Sequence, residues 1–213
     1  EVLVLVEHSD GAMKKVTAEL LTAARALGEP SAVVIGGPGT AAPLVEDLKA
    51  AGAVKIYVAE SDVVDNYLIT PFVDVLESIV ESSSPAAILV PATADGKEIA
   101  GLLAARIGSG LLADVVEIKP DGTAIHSIFG GAFTVEAKSE TASPVITVRP
   151  GAIEAAPAAA AGEQVSVAVP EPAANATRVI SRQPAVAGDR PELTEAAIVV
   201  AGGFGIVFQA GIV

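Results

Sequence analysis

The chain has no cysteine, only two histidines and few basic residues, and each shortage removes a class of function. Without cysteine there can be no disulfide, no iron–sulfur cluster and no cysteine-ligated zinc. His8 and His126 are far apart in sequence, so no polyhistidine metal motif is available, although carboxylates remain as ligands for a hard cation. Thirteen basic residues stand against twenty-six acidic ones, for a formal charge of −13. That balance speaks against nucleic-acid binding, which needs clustered positive charge. Long apolar runs are also missing. Val2 to Val6 is an apolar run with no basic segment before it, and nothing approaches the length of a membrane span. What is present is 213 residues, 51% apolar and 18% charged, enough for a large buried core and incompatible with disorder of the whole. The chain reads as soluble and intracellular.

The first 118 residues alternate short apolar runs with longer amphipathic stretches. Val2 to Val6, Ala32 to Ile35, Val54 to Ala59 and Ala86 to Val90 read as strands of a parallel sheet buried on both faces. Helical spacing follows each. Ser9-Asp10-Gly11 is a candidate helix start before Val16, Leu20, Ala23, Ala24 and Leu27. Leu44, Val45 and Leu48 share one face over 40–51, and Leu68, Phe72, Val75, Leu76 and Ile79 do so over 67–80. Asp95 and Glu98 have the spacing of a capping box ahead of Ile99, Leu102, Leu103 and Ile107. This grammar predicts an α/β fold, a parallel sheet flanked by helices and nucleotide-binding-like.

At Asp114 the pattern changes. Runs at 115–118, 124–129, 133–137 and 145–148 are separated by turn signals rather than helices, which predicts an antiparallel extension reaching about residue 185. Residues 151–162 are rich in Ala, Gly and Pro and read as a surface excursion or linker. Two further strands are expected at 165–169 and 178–182. The polar stretch 183–191 marks a domain boundary, so residues 1–185 form one domain and 186–213 a linker plus a buried strand over 196–201.

Several residues carry potential chemistry. Gly202-Gly203-Phe204-Gly205 follows the last strand, and such a turn can bring backbone N–H groups to a phosphate. Gly36-Gly37-Pro38-Gly39 follows the second strand, where a structural turn competes with phosphate binding. Thr93-Ala94-Asp95-Gly96-Lys97 lies at the carboxyl end of a parallel strand, the usual ligand position of open α/β sheets, with Lys97 a possible phosphate holder and helix capping the plainer role. Glu7 and His8 end the first strand and offer a hydrolytic reading. No nucleophile motif accompanies them. His126 alternates with Ile125 and reads as an exposed or edge histidine. Arg149 either pairs with a carboxylate or marks a partner surface.

Several stretches together resemble the electron-transfer flavoprotein alpha subunit. They are Gly96-Lys97-Glu98 running to Leu103-Ala104-Ala105-Arg106-Ile107-Gly108, then Asp114-Val115 and Ser127-Ile128-Phe129-Gly130-Gly131-Ala132. Ile146-Thr147-Val148-Arg149-Pro150 and Arg190-Pro191-Glu192-Leu193-Thr194-Glu195-Ala196, leading to Ala201-Gly202-Gly203, complete the set. The resemblance implies a heterodimer with an electron-transfer flavoprotein beta subunit, and FAD bound mainly by a separate carboxy-terminal alpha domain. It implies electron flow from acyl-CoA and other dehydrogenases to a membrane quinone oxidoreductase, a carrier rather than a stand-alone catalyst. AMP belongs to the family's beta subunit. The implied location is the bacterial cytoplasm or the mitochondrial matrix. Phe204 stands where the family places an arginine against FAD, so Gly202, Gly203, Phe204 and Gly205 read as a remnant of the FAD turn, with the FAD domain largely absent. The alternative reading is a small adenine-nucleotide-binding module using 36–39 and 93–97.

Overall fold

The computed structural model describes residues 1–183 and 198–200. Residues 1–182 form one compact unit, and 183–213 a second, of which only 183 and 198–200 are described.

The unit is built on β1 (Val2–Leu5), buried at every position. Its side chains alternate between two cores. Val2 and Val4 enter one layer, whereas Leu3 and Leu5 enter the other, so each must be apolar. A hairpin follows, β2 (His8–Ser9) against β3 (Ala12–Met13), turning on Asp10 and Gly11 at φ +51° and +76°. The expected helix start at Ser9-Asp10-Gly11 is thus a reverse turn, and helix α1 (Lys15–Ala24) begins beyond it. Next come β4 (Pro30–Gly36), a 3-10 turn at Ala42–Leu44 and α2 (Val45–Ala51), which Gly52 ends in the left-handed conformation at φ +109°. β5 (Lys55–Glu60), α3 (Asp62–Asn66), α4 (Thr70–Ser83), β6 (Ala87–Pro91) and α5 (Ala94–Arg106) continue the alternation.

Beyond α5 the chain forms β7 (Leu111–Ile118), β8 (Ala124–Ile128), β9 (Phe133–Ala137), β10 (Val145–Val148) and β11 (Glu163–Ser166). The sheet has nine strands in the order β11-β5-β4-β1-β6-β10-β7-β8-β9. Only β7–β8 and β8–β9 pair antiparallel in it. The α/β class and the presence of an antiparallel extension are as the sequence predicts, but the extension ends with β9 rather than near residue 185, and three assignments change. Val145–Val148 is not part of the meander: it inserts parallel between β6 and β7 and is buried at all four positions. The strand expected at 165–169 is β11, which joins the opposite edge parallel to β5. Residues 178–182 form no strand; Tyr67 and Arg178 make a single bridge. Of the run expected as a buried strand over 196–201, residues 198–200 are exposed and outside any strand, and the rest lies outside the described residues. The division at residue 185 likewise falls mostly outside them.

The Ala- and Pro-rich segment 151–162 is the crossover that carries the chain from β10 to β11, over α1 and α2. It has no periodicity of its own because other elements hold it. Glu19, only 2% exposed, accepts from Gly151 N at 2.7 Å, Thr22 Oγ1 accepts from Ala156 N at 3.0 Å, and Arg25 donates to Ala156 O. Ala160 N donates to Lys49 O and Gly162 N to Ala53 O. Replacing Glu19 by Ala leaves the Gly151 donor without its carboxylate and opens space beneath it. We expect Glu19→Ala to cost about 1–3 kcal/mol of stability, measured by urea unfolding, with amide exchange at 151 and 156 accelerated ahead of that in β1.

Candidate functional site

The sheet order reverses between β1 and its neighbours β4 and β6, and open α/β sheets bind ligands in the crevice at such a point. A cavity of about 480 Å³ occupies that position. Its floor includes Leu5, Val6, Pro91 and Gly96; its walls include Tyr67, Phe72 and Ile99. A neighbouring hollow of about 350 Å³ lies against Gly36, Gly37 and Pro38. Glu7 and His8, Thr93 to Gly96, and Gly36 to Pro38 are therefore brought together at one end of the sheet. Lys97 is exposed and lines neither hollow.

The local chemistry is not that of a phosphate site. Thr93, not Asp95, caps α5: its Oγ1 accepts from Gly96 N at 3.3 Å and its carbonyl from Lys97 N at 2.9 Å. Gly96 is required there, because a Cβ would meet Pro91 O at 2.0 Å. In the glycine loop the donors are also taken. Glu60, from the end of β5, accepts from Gly39 N at 3.1 Å and Ala41 N at 2.7 Å. Any phosphate would have to displace that carboxylate and approach Asp65, whose Oδ2 lies 2.5 Å from where a Cβ on Gly37 would be. His8 donates from Nε2 to Ile35 O at 3.1 Å, so its ring is held by backbone rather than poised on a nucleophile. The turn after β1 is fixed by Thr17, which exchanges two hydrogen bonds with the Glu7 backbone.

At the same carboxyl end of the sheet, beyond β10, Arg149 resolves its alternatives by pairing with Asp114. Nη2 and Nε reach Asp114 Oδ2 and Oδ1 at 2.7 and 3.3 Å, and Nη2 also donates to Ser127 O at 2.8 Å. Asp114 adopts φ +58°, and its N–H donates to Thr147 Oγ1 at 2.8 Å. The arrangement ties β10, β7 and β8 at the root of the antiparallel arm. His126, expected to be exposed, is half-buried on β8 and donates from Nδ1 to Ala113 O at 2.9 Å. The turn between β8 and β9, just beyond Ser127, is different. Phe129 is 81% and Phe133 59% exposed, their rings edge to face at 5.9 Å, with Ile128 and Val135 beside them. Phe129-Gly130-Gly131 turns at φ +52°, +65° and +89°, which explains the glycine pair.

A family model described as the electron transfer flavoprotein domain matches residues 2–175. The chain belongs to the electron transfer flavoprotein family. It is 73% identical over 206 residues to the electron transfer flavoprotein subunit alpha of Mycobacterium tuberculosis, covering 97% of this chain and 65% of that protein. Identity to the subunit alpha of Mycobacterium leprae is 66% with the same coverage. For that of Syntrophomonas wolfei it is 35% over 214 residues, 98% of this chain and 67% of the relative. The chain thus spans just under two thirds of the length of its mycobacterial relatives. Among the described residues of this electron transfer flavoprotein chain, no helix is long and apolar enough to cross a membrane and no cluster of His, Cys, Asp and Glu could hold a metal. The described crevice does not fit the pyrophosphate of a flavin dinucleotide, since carboxylates line it and Gly96 N is spent on Thr93. Gly202, Gly203, Phe204 and Gly205 lie outside the described residues.

Glu60, Glu19 and the Phe129–Phe133 pair escape the sequence reading. Glu60 carries no local motif, since its partners lie about twenty residues earlier. The phenylalanines flank Gly130-Gly131, and two aromatics around a glycine turn are the signal that was there.

Hydrogen bonding from Arg149 holds the Asp114 carboxyl below its ordinary value of 3.8. A depressed carboxylate stabilises the fold above its unfolded value and loses that contribution as pH falls through the folded one. The pair is partly solvated, so its worth stays at or below about 1 kcal/mol. Asp114→Asn is therefore expected to lower the urea midpoint at pH 7, and the gap to the wild type should close as pH falls below 4.

Proposed function

We propose that the chain is the α/β portion of an electron transfer flavoprotein alpha subunit, a scaffold and beta-subunit partner rather than an enzyme. The identity to proteins named subunit alpha across 97% of the chain carries this reading. In the whole heterodimer, FAD would take electrons from acyl-CoA and other dehydrogenases and deliver them to a membrane quinone oxidoreductase. The flavin supplies the redox chemistry, and protein groups bind and tune it. Cytoplasmic placement in a bacterium accords with the mycobacterial relatives.

The tip of the β8–β9 arm supports a docking place for the second subunit. Exposed aromatic side chains in edge-to-face contact at a turn are what a partner covers, and Ile128 and Val135 extend the same exposed apolar patch. The open edge of β9 lies beside them. Co-expression with an electron transfer flavoprotein beta subunit, followed by size-exclusion chromatography, tests the proposal. Co-elution as one species supports it; separate elution under all salt conditions overturns it. Phe129→Ser and Phe133→Ser are expected to weaken association by about thirtyfold each, ~2 kcal/mol, without lowering the melting temperature of the isolated chain, because both rings are already solvated.

Cofactor retention is a separate expectation. With Phe204 at the position of the family's arginine, and no described crevice that accepts a pyrophosphate, we assign Gly202, Gly203 and Gly205 at most a minor part of the FAD contact. The 213-residue chain purified alone should show no visible flavin band, and Phe204→Arg should not restore one. A yellow preparation with one flavin per chain would refute this.

A further inference from the structure

Outside the electron-transfer role, the 480 Å³ crevice is of ligand-binding size and position, yet no function above uses it. Its chemistry selects one charge. Asp95 and Glu98 line it, and Arg182 is the one Lys or Arg among its described lining residues. Arg182 is itself shared with Asp65, 3.9 Å away. Asp95 and Glu98 are solvent-accessible and have no ion-pair partner among the described residues. Of the backbone donors that would favour an anion, Gly96 N is spent on Thr93, and Gly39 and Ala41 N beside the neighbouring hollow are spent on Glu60. His8 is held by its hydrogen bond to Ile35 O. Tyr67 and Phe72 add aromatic rings to this acceptor-rich wall. Carboxylates together with aromatic faces are the means by which proteins hold organic cations.

We infer that the crevice at the ends of β1 and β6 is a binding site for a protonated amine with an apolar body, and that Arg182 is the chain's own cation at its rim. The site does not depend on the heterodimer or on flavin, so its failure would leave the proposed function standing.

Phenethylammonium is a suitable probe. Titrated into the whole ¹⁵N-labelled chain, it should shift the amides of Tyr67, Leu68 and Gly96 saturably, and added salt should weaken the effect. Asp95→Asn and Glu98→Gln should each weaken binding by about two- to fivefold, and Arg182→Gln should tighten it by a similar factor. These exposed substitutions should leave the melting temperature in place, which separates lost binding from lost structure. The absence of saturable shifts in both the wild type and Arg182→Gln would overturn the inference. So would equal or larger shifts at the same amides from AMP, or undiminished amine binding in the Asp95→Asn/Glu98→Gln double variant.

Discussion

A four-residue strand decides this architecture. Val145–Val148 is buried at all four positions, and it gains that burial in the slot between β6 and β7. Once it fills that slot, β7 no longer sits beside β6, and the chain between β7 and β10 widens the sheet by two antiparallel strands before it returns. Those strands are the β8–β9 arm. The same insertion brings Arg149 beside Asp114 and Ser127, so the arm's root is tied down by charge-assisted hydrogen bonds where the sheet changes from parallel to antiparallel. It also leaves the chain stranded in mid-sheet, which obliges the long crossover over α1 and α2 to reach the far edge. Glu19 and Arg25 exist in this account as anchors for a segment that could not fold alone.

The crevice shows how one scaffold can keep the geometry of a nucleotide fold without its chemistry. The switch point, the glycine loop and the capped helix are all present. What has changed is who satisfies the donors. Glu60 lies across Gly39 and Ala41 where an anion would otherwise sit, and Thr93 closes the start of α5. Neither adjustment alters the path of the sheet, so the fold alone would point to the wrong ligand.

Local periodicity made much of this legible in the sequence. β1, β4, β5 and β6 and the helices between them announce themselves because burial on one or two faces writes a short-range pattern. The hairpin strands β8 and β9 do so through their turns. Strand direction is another matter. Val145–Val148 follows two antiparallel strands without an intervening helix, and nothing within ten residues says that it pairs with β6, more than fifty residues earlier. The cap on α5 was misplaced by two residues because Thr93 and Asp95 both have capping side chains, and only the turn geometry chooses between them. Residues 178–182 look like a strand by composition, yet their partner is the loop after α3, which offers one bridge. The crossover 151–162 has no signal because its order comes from side chains more than a hundred residues away.

The antiparallel arm combines two requirements that usually conflict. A surface meant for a partner needs exposed apolar groups, which in an isolated chain invite loss of structure or indiscriminate association. Here the root of the arm is fixed by Asp114, Thr147 and Arg149, and its inner residues Ala124 and Ile125 are buried in the main sheet. The tip can then expose Phe129 and Phe133 without any cost to the core, since neither ring contributes to it. Their edge-to-face contact and the positive-φ turn hold the rings in place before a partner arrives, which reduces the entropy that docking must overcome. The acidic remainder of the molecule works in the same direction. A chain of net charge −13 repels its own copies, so two exposed tips are discouraged from pairing with one another.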